Sequence, residues 1–126
     1  MGGTTEAEIL DALAAVSLTE ATIHARTKRQ GYRPPAHWHQ LRLAREVLPF
    51  PVIANGELWT PSDIARCADI SGCDAFMLAR GALCRPDLGV ATQAFYRNEP
   101  SPAFGWGEVQ LLLSAFLARN CELYDP

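Results

Sequence analysis

Short apolar stretches alternate along the chain with longer segments in which apolar residues recur every three or four positions. The short stretches predict β-strands, and the periodic segments predict amphipathic helices. Strands are predicted at 21–25, 51–55 and 74–79, and helices near 6–16, 37–47, 61–70, 86–96 and 107–121. Because helices separate the strands, this order favours an α/β fold with a parallel sheet and right-handed crossovers.

Capping residues mark several of the helix ends. Thr5 with Glu8 three residues later has the pattern of a capping box. Thr60 suits an N-cap position, and Pro61 suits the first position of the helix that follows. Gly72 suits the left-handed residue that ends the same helix.

Two neighbouring strands run directly into polar, glycine-bearing loops and then into helix starts, at 51–63 and 72–83. Such a tandem is typical of strands seven and eight of a (β/α)8 barrel, where phosphate-bearing cofactors often bind. The chain has 126 residues, whereas a complete barrel usually needs about 250. The sequence therefore predicts a partial TIM barrel, about strands six to eight with their helices.

The organisation of the chain is predicted in two parts. Residues 1–97 form the barrel part, with 1–3 as a flexible start. Residues 98–102, Asn-Glu-Pro-Ser-Pro, read as a breaker-rich linker. The rest of 98–126 then holds one helix, the start of a C-terminal helical segment.

Composition narrows the class of protein. Apolar residues make up 48% and charged residues 20%, as in ordinary globular proteins. The net charge of -3 gives no overall nucleic-acid signature, so any RNA contact requires a local patch. The four cysteines show no zinc-ligand spacing, and no metal site is expected. Without a signal peptide or a long apolar run, we expect a cytoplasmic protein that does not enter a membrane.

Candidate functional groups follow the strands, where active sites of α/β barrels assemble. His24 suits a hydrogen bond to a cofactor ring or phosphate, or to neighbouring backbone. Gly56, after Asn55, allows close backbone approach and amide contacts to phosphate, although Asn-Gly is also common in ordinary turns. Arg80 suits phosphate through its planar, charged fork, or else makes a surface salt bridge.

A basic loop lies between the first strand and the second helix. Its cations are Arg26, Lys28, Arg29 and Arg33, with Tyr32 among them. Such a loop suits an RNA backbone, and an aromatic ring suits stacking on a base. A solvated charged loop is the alternative.

Taken together, these motifs resemble the tRNA-dihydrouridine synthase family, most closely its C subfamily. The matching runs are 24–28 (His-Ala-Arg-Thr-Lys), 30–32 (Gln-Gly-Tyr), 51–57 (Pro-Val-Ile-Ala-Asn-Gly-Glu), 71–75 (Ser-Gly-Cys-Asp-Ala) and 80–83 (Arg-Gly-Ala-Leu). The resemblance covers residues 5–96 well and the tail less closely. Another flavin or phosphate barrel, such as a dihydroorotate-type dehydrogenase, fits the first two runs poorly.

The resemblance implies a flavoprotein oxidoreductase that reduces particular uridines of the tRNA D-loop to dihydrouridine. In that family FMN lies at the carboxyl-terminal mouth of the barrel, NADPH reduces it, hydride passes to C6 of uracil and a cysteine protonates C5. By resemblance, the FMN-binding residues are His24, Asn55, Gly56, Glu57, Ala79 and Arg80. The residues facing tRNA are Arg26, Lys28, Arg29 and Tyr32.

Several departures from the family pattern define an alternative. Ala79 stands where the family usually has glycine, and Ala25 is a milder change of the same kind. No cysteine matches the family's catalytic one, Cys84 being in the wrong place, and the flavin-contacting lysine is also missing. The alternative is an inactive half-barrel that at most binds FMN phosphate, or self-associates through its open strand edges.

Overall fold

The computed structural model describes residues 5–101 and 104–124. Its strands are β1 (Ala21–His24), β2 (Val52–Asn55) and β3 (Ala75–Met77). Its helices are α1 (Glu6–Ala14), α2 (Trp38–Val47), α3 (Pro61–Ser71), α4 (Arg80–Cys84), α5 (Leu88–Tyr96) and α6 (Trp106–Leu123). The strands form a parallel sheet in the order β1-β2-β3, which confirms the predicted α/β class and strand direction.

Local signals at the helix ends act as predicted. Thr5 and Glu8 form a complete capping box at α1. At α3 the Thr60 side chain accepts from the backbone of the third residue, and Pro61 occupies the first turn. Gly72 ends α3 with a φ of 73°, in the left-handed region that glycine tolerates.

Several predicted boundaries are wrong. The strand predicted at 74–79 is only three residues long, and the short helix α4 (Arg80–Cys84) was missed. A five-residue helix is too short to show helical periodicity in sequence. The first helix stops at Ala14, and Pro86 precedes α5 rather than starting it. The predicted flexible start at 1–3 and Pro102 of the linker lie outside the described residues.

Helices cover one face of the sheet. The side chains on that face belong to the apolar core or pack against it: Ala21, Ile23, Val52, Ala54 and Phe76. The alternate residues form two rows across the other face, Thr22-Ile53-Ala75 and His24-Asn55-Met77. None of these six belongs to the core formed by the described residues. One-sided cover is compatible with part of a barrel, where helices form an outer ring.

The core lies between that face and helices α2, α3 and α5. Leu41, Ile64 and Leu88 contribute its largest fully buried apolar side chains. Helix α6 differs, because none of its residues is buried. No helix in the described part of the chain is long and apolar enough to cross a membrane.

Candidate functional site: a cationic cleft at the carboxyl ends of the strands

A cleft of about 480 Å³ opens where the three strands end. Its lining contains every residue predicted for the site except Arg29, which is exposed. Those lining residues are His24, Arg26, Lys28, Tyr32, Asn55, Gly56, Glu57, Ala79 and Arg80. Parallel strands bring these groups together because their carboxyl ends share one edge of the sheet.

The β2 loop is fixed by hydrogen bonds from both sides. Asn55 donates through Nδ2 to the Met77 carbonyl oxygen at 2.8 Å, which links the ends of β2 and β3. The buried indole Nε1 of Trp38 donates to the Gly56 carbonyl oxygen at 2.9 Å. Gly56 has a φ of +117°, and an added Cβ would lie 3.5 Å from Nε2 of His24. This position therefore requires glycine.

His24 ends β1 directly opposite Asn55. Its Nδ1 lies 3.4 Å from the carbonyl oxygen of Arg26, a long contact for a hydrogen bond. The backbone partner considered from the sequence is thus present. Nε2 has no protein partner among the described residues, so this nitrogen is free to meet a ligand in the cleft.

Arg26 and Glu57 form an ion pair at the base of the cleft. The Arg26 side chain is fully buried, whereas its place in a basic loop suggested an exposed cation. Burial lowers the pKa of Arg26, and the positive charge of Arg80 lowers it further. Within the described residues, Nε and Nη1 of Arg26 have no hydrogen-bond partner. The lining of the cleft therefore includes a buried cation with unsatisfied donors, an arrangement that costs free energy.

Glu57 has an unusual backbone conformation for a residue with a side chain. Its φ is 58°, in the left-handed region, where strain of this kind costs on the order of 1–3 kcal/mol and clusters at functional sites. Its Oε1 accepts a hydrogen bond of 2.8 Å from Nε1 of Trp59. The carboxylate is thus held by Trp59 on one side and Arg26 on the other.

Arg80 begins α4 and is contacted by two aromatic rings. Its guanidinium carbon lies 4.5 Å from the ring centre of Tyr32 and 5.0 Å from that of Trp59. Its N–H groups make no hydrogen bond or salt bridge within the part of the chain described here. The preceding Ala79 has a φ of -123° and a ψ of -101°, a combination outside the main β and α regions.

The charges of the lining favour an anion. Three lining side chains are cationic, Arg26, Lys28 and Arg80, and Glu57 is the one carboxylate among the lining residues. This positive excess occurs in a chain whose net charge is -3. Low-dielectric walls around like charges concentrate the field on a ligand of opposite sign.

Two tryptophans of the site were not predicted from the sequence. Trp59 lines the cleft, and Trp38 holds the Gly56 carbonyl from behind it. Trp59 comes two residues after Glu57, so its closeness to a predicted phosphate loop was a usable signal. Trp38 was predicted only as part of the apolar face of its helix. No pattern in the sequence indicates that its indole N–H donates to the Gly56 carbonyl.

Metal ligands do not gather anywhere in the described ranges. No group of three or more His, Cys, Asp or Glu side chains there is placed to hold a metal ion. Cys67 and Cys73 are buried free thiols, and Cys84 and Cys121 are exposed ones. None of the four lines the cleft.

Comparison with known proteins gives a consistent match. The family described as "Dihydrouridine synthase (Dus)" matches residues 3–119. A protein named "tRNA-dihydrouridine(16) synthase" from Aquipseudomonas alcaligenes is 45% identical over 105 residues, covering 83% of this chain and 33% of that protein. Proteins of the same name are 44% identical over 108 residues in Ralstonia nicotianae and 43% identical over 110 in Shigella flexneri. In both, the match covers 86% of this chain and 33% of the relative. The chain thus spans about a third of the length of these curated relatives.

Proposed function

This chain belongs to the dihydrouridine synthase family, and on that premise we propose that its cleft binds the phosphate end of FMN. The observation that carries the proposal is Arg80, a cation in the cleft whose N–H donors are unengaged among the described residues. Arginine binds phosphate oxygens through two parallel hydrogen bonds. A phosphate group therefore suits this side chain better than a neutral ligand.

The remaining lining residues fit the same group. Arg26 adds a buried positive charge beside the cleft, and Lys28 adds a third positive charge. Gly56 leaves space next to His24 that a side chain would fill. FMN carries a phosphate dianion on a polar ribityl chain, and we assign Asn55 and Glu57 to its hydroxyl groups and His24 to the flavin ring.

We propose that the full-length protein is an FMN-dependent tRNA-dihydrouridine synthase with NADPH as reductant. When bound, FMN supplies the hydride chemistry, and the residues of this chain bind and orient it. The relatives are named for position 16 of tRNA, so uridine 16 is the proposed target. Lys28, Arg29 and Tyr32, on the loop beside the cleft, are proposed to face the tRNA, and we propose a cytoplasmic protein.

The domain assignment is proposed on the same basis. Residues 1–97 supply about strands six to eight of a barrel, and residues 98–126 begin a helical tRNA-binding domain. None of the cysteines lines the cleft, so no thiol here is placed to protonate C5 of uracil. Because general acids contribute about 10²–10⁴-fold, we expect the 126 residues alone to bind FMN with little turnover.

A second candidate rests on the sheet face that bears Thr22, Ile53 and Ala75, which lies outside the core of the described residues. An uncovered face and open strand edges favour pairing with another copy. The second candidate is therefore an inactive half-barrel that self-associates. Sedimentation velocity and a thermal melt separate the two, since a monomer that melts sharply contradicts self-association.

FMN titration, followed by quenching of flavin fluorescence, tests the first proposal. Riboflavin, which lacks the phosphate, is the comparison ligand. We expect Arg80→Ala to weaken FMN binding at least about tenfold, because a hydrogen bond to a charged group contributes about 1.5–3 kcal/mol. Arg119→Ala, in the exposed helix α6, is the matched control and should change nothing. Equal affinity for FMN and riboflavin, or no binding of FMN, would contradict a phosphate site.

A further inference from the structure

Arg80 is held by aromatic rings that come from two different loops. Tyr32 belongs to the basic loop after β1, and Trp59 follows the β2 loop. Their ring centres lie 4.5 and 5.0 Å from the guanidinium carbon. A cation–π contact attracts the charge to the face of a ring and requires no hydrogen-bond acceptor, and the N–H groups of Arg80 make no hydrogen bond or salt bridge among the described residues. The rings therefore hold the group without consuming the donors that an oxyanion needs.

Without these rings, electrostatics would move Arg80 away from the cleft. Arg26 and Arg80 repel each other, and this repulsion contributes to the lowered pKa of Arg26. The carboxylate of Glu57 is already engaged by Arg26 and by the Trp59 indole. A long arginine side chain with no ion pair would otherwise extend into water, where its charge is best solvated.

Trp59 joins the two charged parts of the cleft. Its Nε1 donates to Oε1 of Glu57 at 2.8 Å, while its ring contacts the guanidinium of Arg80. Glu57 in turn pairs with the buried Arg26. A continuous series of contacts thus runs from Tyr32 through Arg80, Trp59 and Glu57 to Arg26.

We propose that Tyr32 and Trp59 are positioning residues that form an aromatic seat for Arg80, keeping its N–H donors directed at the cleft. The inference rests on the proposed function, because the seat serves phosphate binding, and it assigns both rings a role toward the cofactor. Tyr32 then holds Arg80 in place whether or not tRNA is bound. Since Tyr32 lies on the basic loop, the position of that loop and the position of Arg80 depend on each other.

The seat itself is tested without a ligand. Aromatic rings shift the NMR signals of protons above their faces to higher field, so we expect upfield-shifted Arg80 side-chain protons in the unmodified chain. Tyr32→Leu and Trp59→Leu should each remove part of this shift. Trp59→Phe should retain it, because it keeps a ring while losing the hydrogen bond to Glu57. Trp106→Leu, in α6, is the control and should leave the Arg80 signals unchanged.

The consequence for binding is tested by the ratio of FMN affinity to riboflavin affinity. We expect Trp59→Leu and Tyr32→Leu to lower this ratio by about two- to thirty-fold, the range that cation–π energies allow. Trp59→Phe and Tyr32→Phe should keep most of the original ratio. The affinity for riboflavin should stay constant in all four variants. A structural defect would instead weaken both ligands together and would not be rescued by phenylalanine.

The outcomes separate this inference from the proposed function. If FMN binding depends on Arg80 but the ratio is unchanged in both leucine variants, the seat is wrong and the phosphate site stands. If the Arg80 protons show no upfield shift, the proposal of an aromatic seat is wrong, whether or not FMN binds. If the shift is present but FMN does not bind, the proposed function fails, and the role of the seat in phosphate binding fails with it. Tyr32 is 73% exposed, so its leucine variant should fold even if the Trp59 variant does not.

Discussion

The sheet with its covering helices and the exposed helix α6 are both rich in apolar residues, yet only the first buries them. Leu41 and Ile64 are at most 2% exposed, whereas Leu111 and Phe116 of α6 are 73% and 66% exposed. Helical periodicity predicted both regions from the sequence. The contrast shows that apolar spacing specifies a helix, while burial also requires a second surface for it to pack against.

The two regions also differ in how their apolar residues are arranged. In α2, the buried residues Trp38, Leu41 and Ala44 repeat every three positions and belong to the core. In α6, the run Leu111–Leu113 places apolar side chains on adjacent positions, which spreads them around the helix. A helix that is apolar around most of its circumference is typical of a helix enclosed by others.

The largest predicted effect compares a core leucine with an α6 leucine. Leu41→Ala should lower the free energy of unfolding by about 2–5 kcal/mol, because it removes buried methyl groups and leaves a cavity. Leu117→Ala removes the same atoms from a side chain that is 64% exposed, and should change stability by less than about 0.5 kcal/mol. Urea denaturation followed by circular dichroism measures both. A comparable loss in Leu117→Ala would show that α6 packs against the core in solution.

Glycines provide the second comparison. An added Cβ at Gly81 would lie 2.1 Å from the carbonyl oxygen of Leu58, so Gly81→Ala forces the backbone to shift and should cost about 1–3 kcal/mol. Gly107 in α6 has nothing within 4 Å of such a Cβ, and Gly107→Ala should stabilise its helix by roughly 0.5–1 kcal/mol. Thermal melts and helix content by circular dichroism measure the pair. Destabilisation by both would show that α6 has close neighbours.

The last prediction concerns pH and applies only to alkaline solution. Burial raises the pKa of the Cys67 thiol to about 11 from an ordinary value of 9.0. Since the folded chain holds this proton more tightly than the unfolded chain, the associated stability is complete below pH 9.0 and is lost as pH rises through about 11. The loss is on the order of 2 kcal/mol. Urea denaturation across this interval should show a decline that Cys67→Ala lessens, whereas the exposed Cys121→Ala should leave the decline intact.

Local signals explain why much of the fold was predictable from the sequence. Thr60, Pro61 and Gly72 act within a few residues of their own position, so their sequence context determines what they do. Strands β1 and β2 were found because short apolar stretches lead into polar loops. The ends of β3 were not, since Leu78 and Ala79 continue an apolar stretch that the backbone leaves in order to begin α4.

The sequence predicted which residues line the site better than it predicted which of them contact one another. Strand ends converge in any parallel sheet, which is why His24, Gly56 and Arg80 were chosen together. The burial of Arg26 and the contact of Tyr32 with Arg80 depend on residues 31 and 48 positions away along the chain. Interactions of that range follow from the folded arrangement and leave no local pattern to read.

The hydrogen bond from Trp38 to the Gly56 carbonyl has a spectroscopic consequence. Of the three tryptophans in the chain, Trp38 is 8% exposed behind the cleft loop and Trp106 is 68% exposed on α6. Indole emission moves to longer wavelength as water gains access, so the two regions emit at different wavelengths. We therefore expect Trp38 to emit at shorter wavelength than Trp106. The intrinsic fluorescence of the protein then follows the unfolding of the cleft region and of helix α6 separately, without an added label.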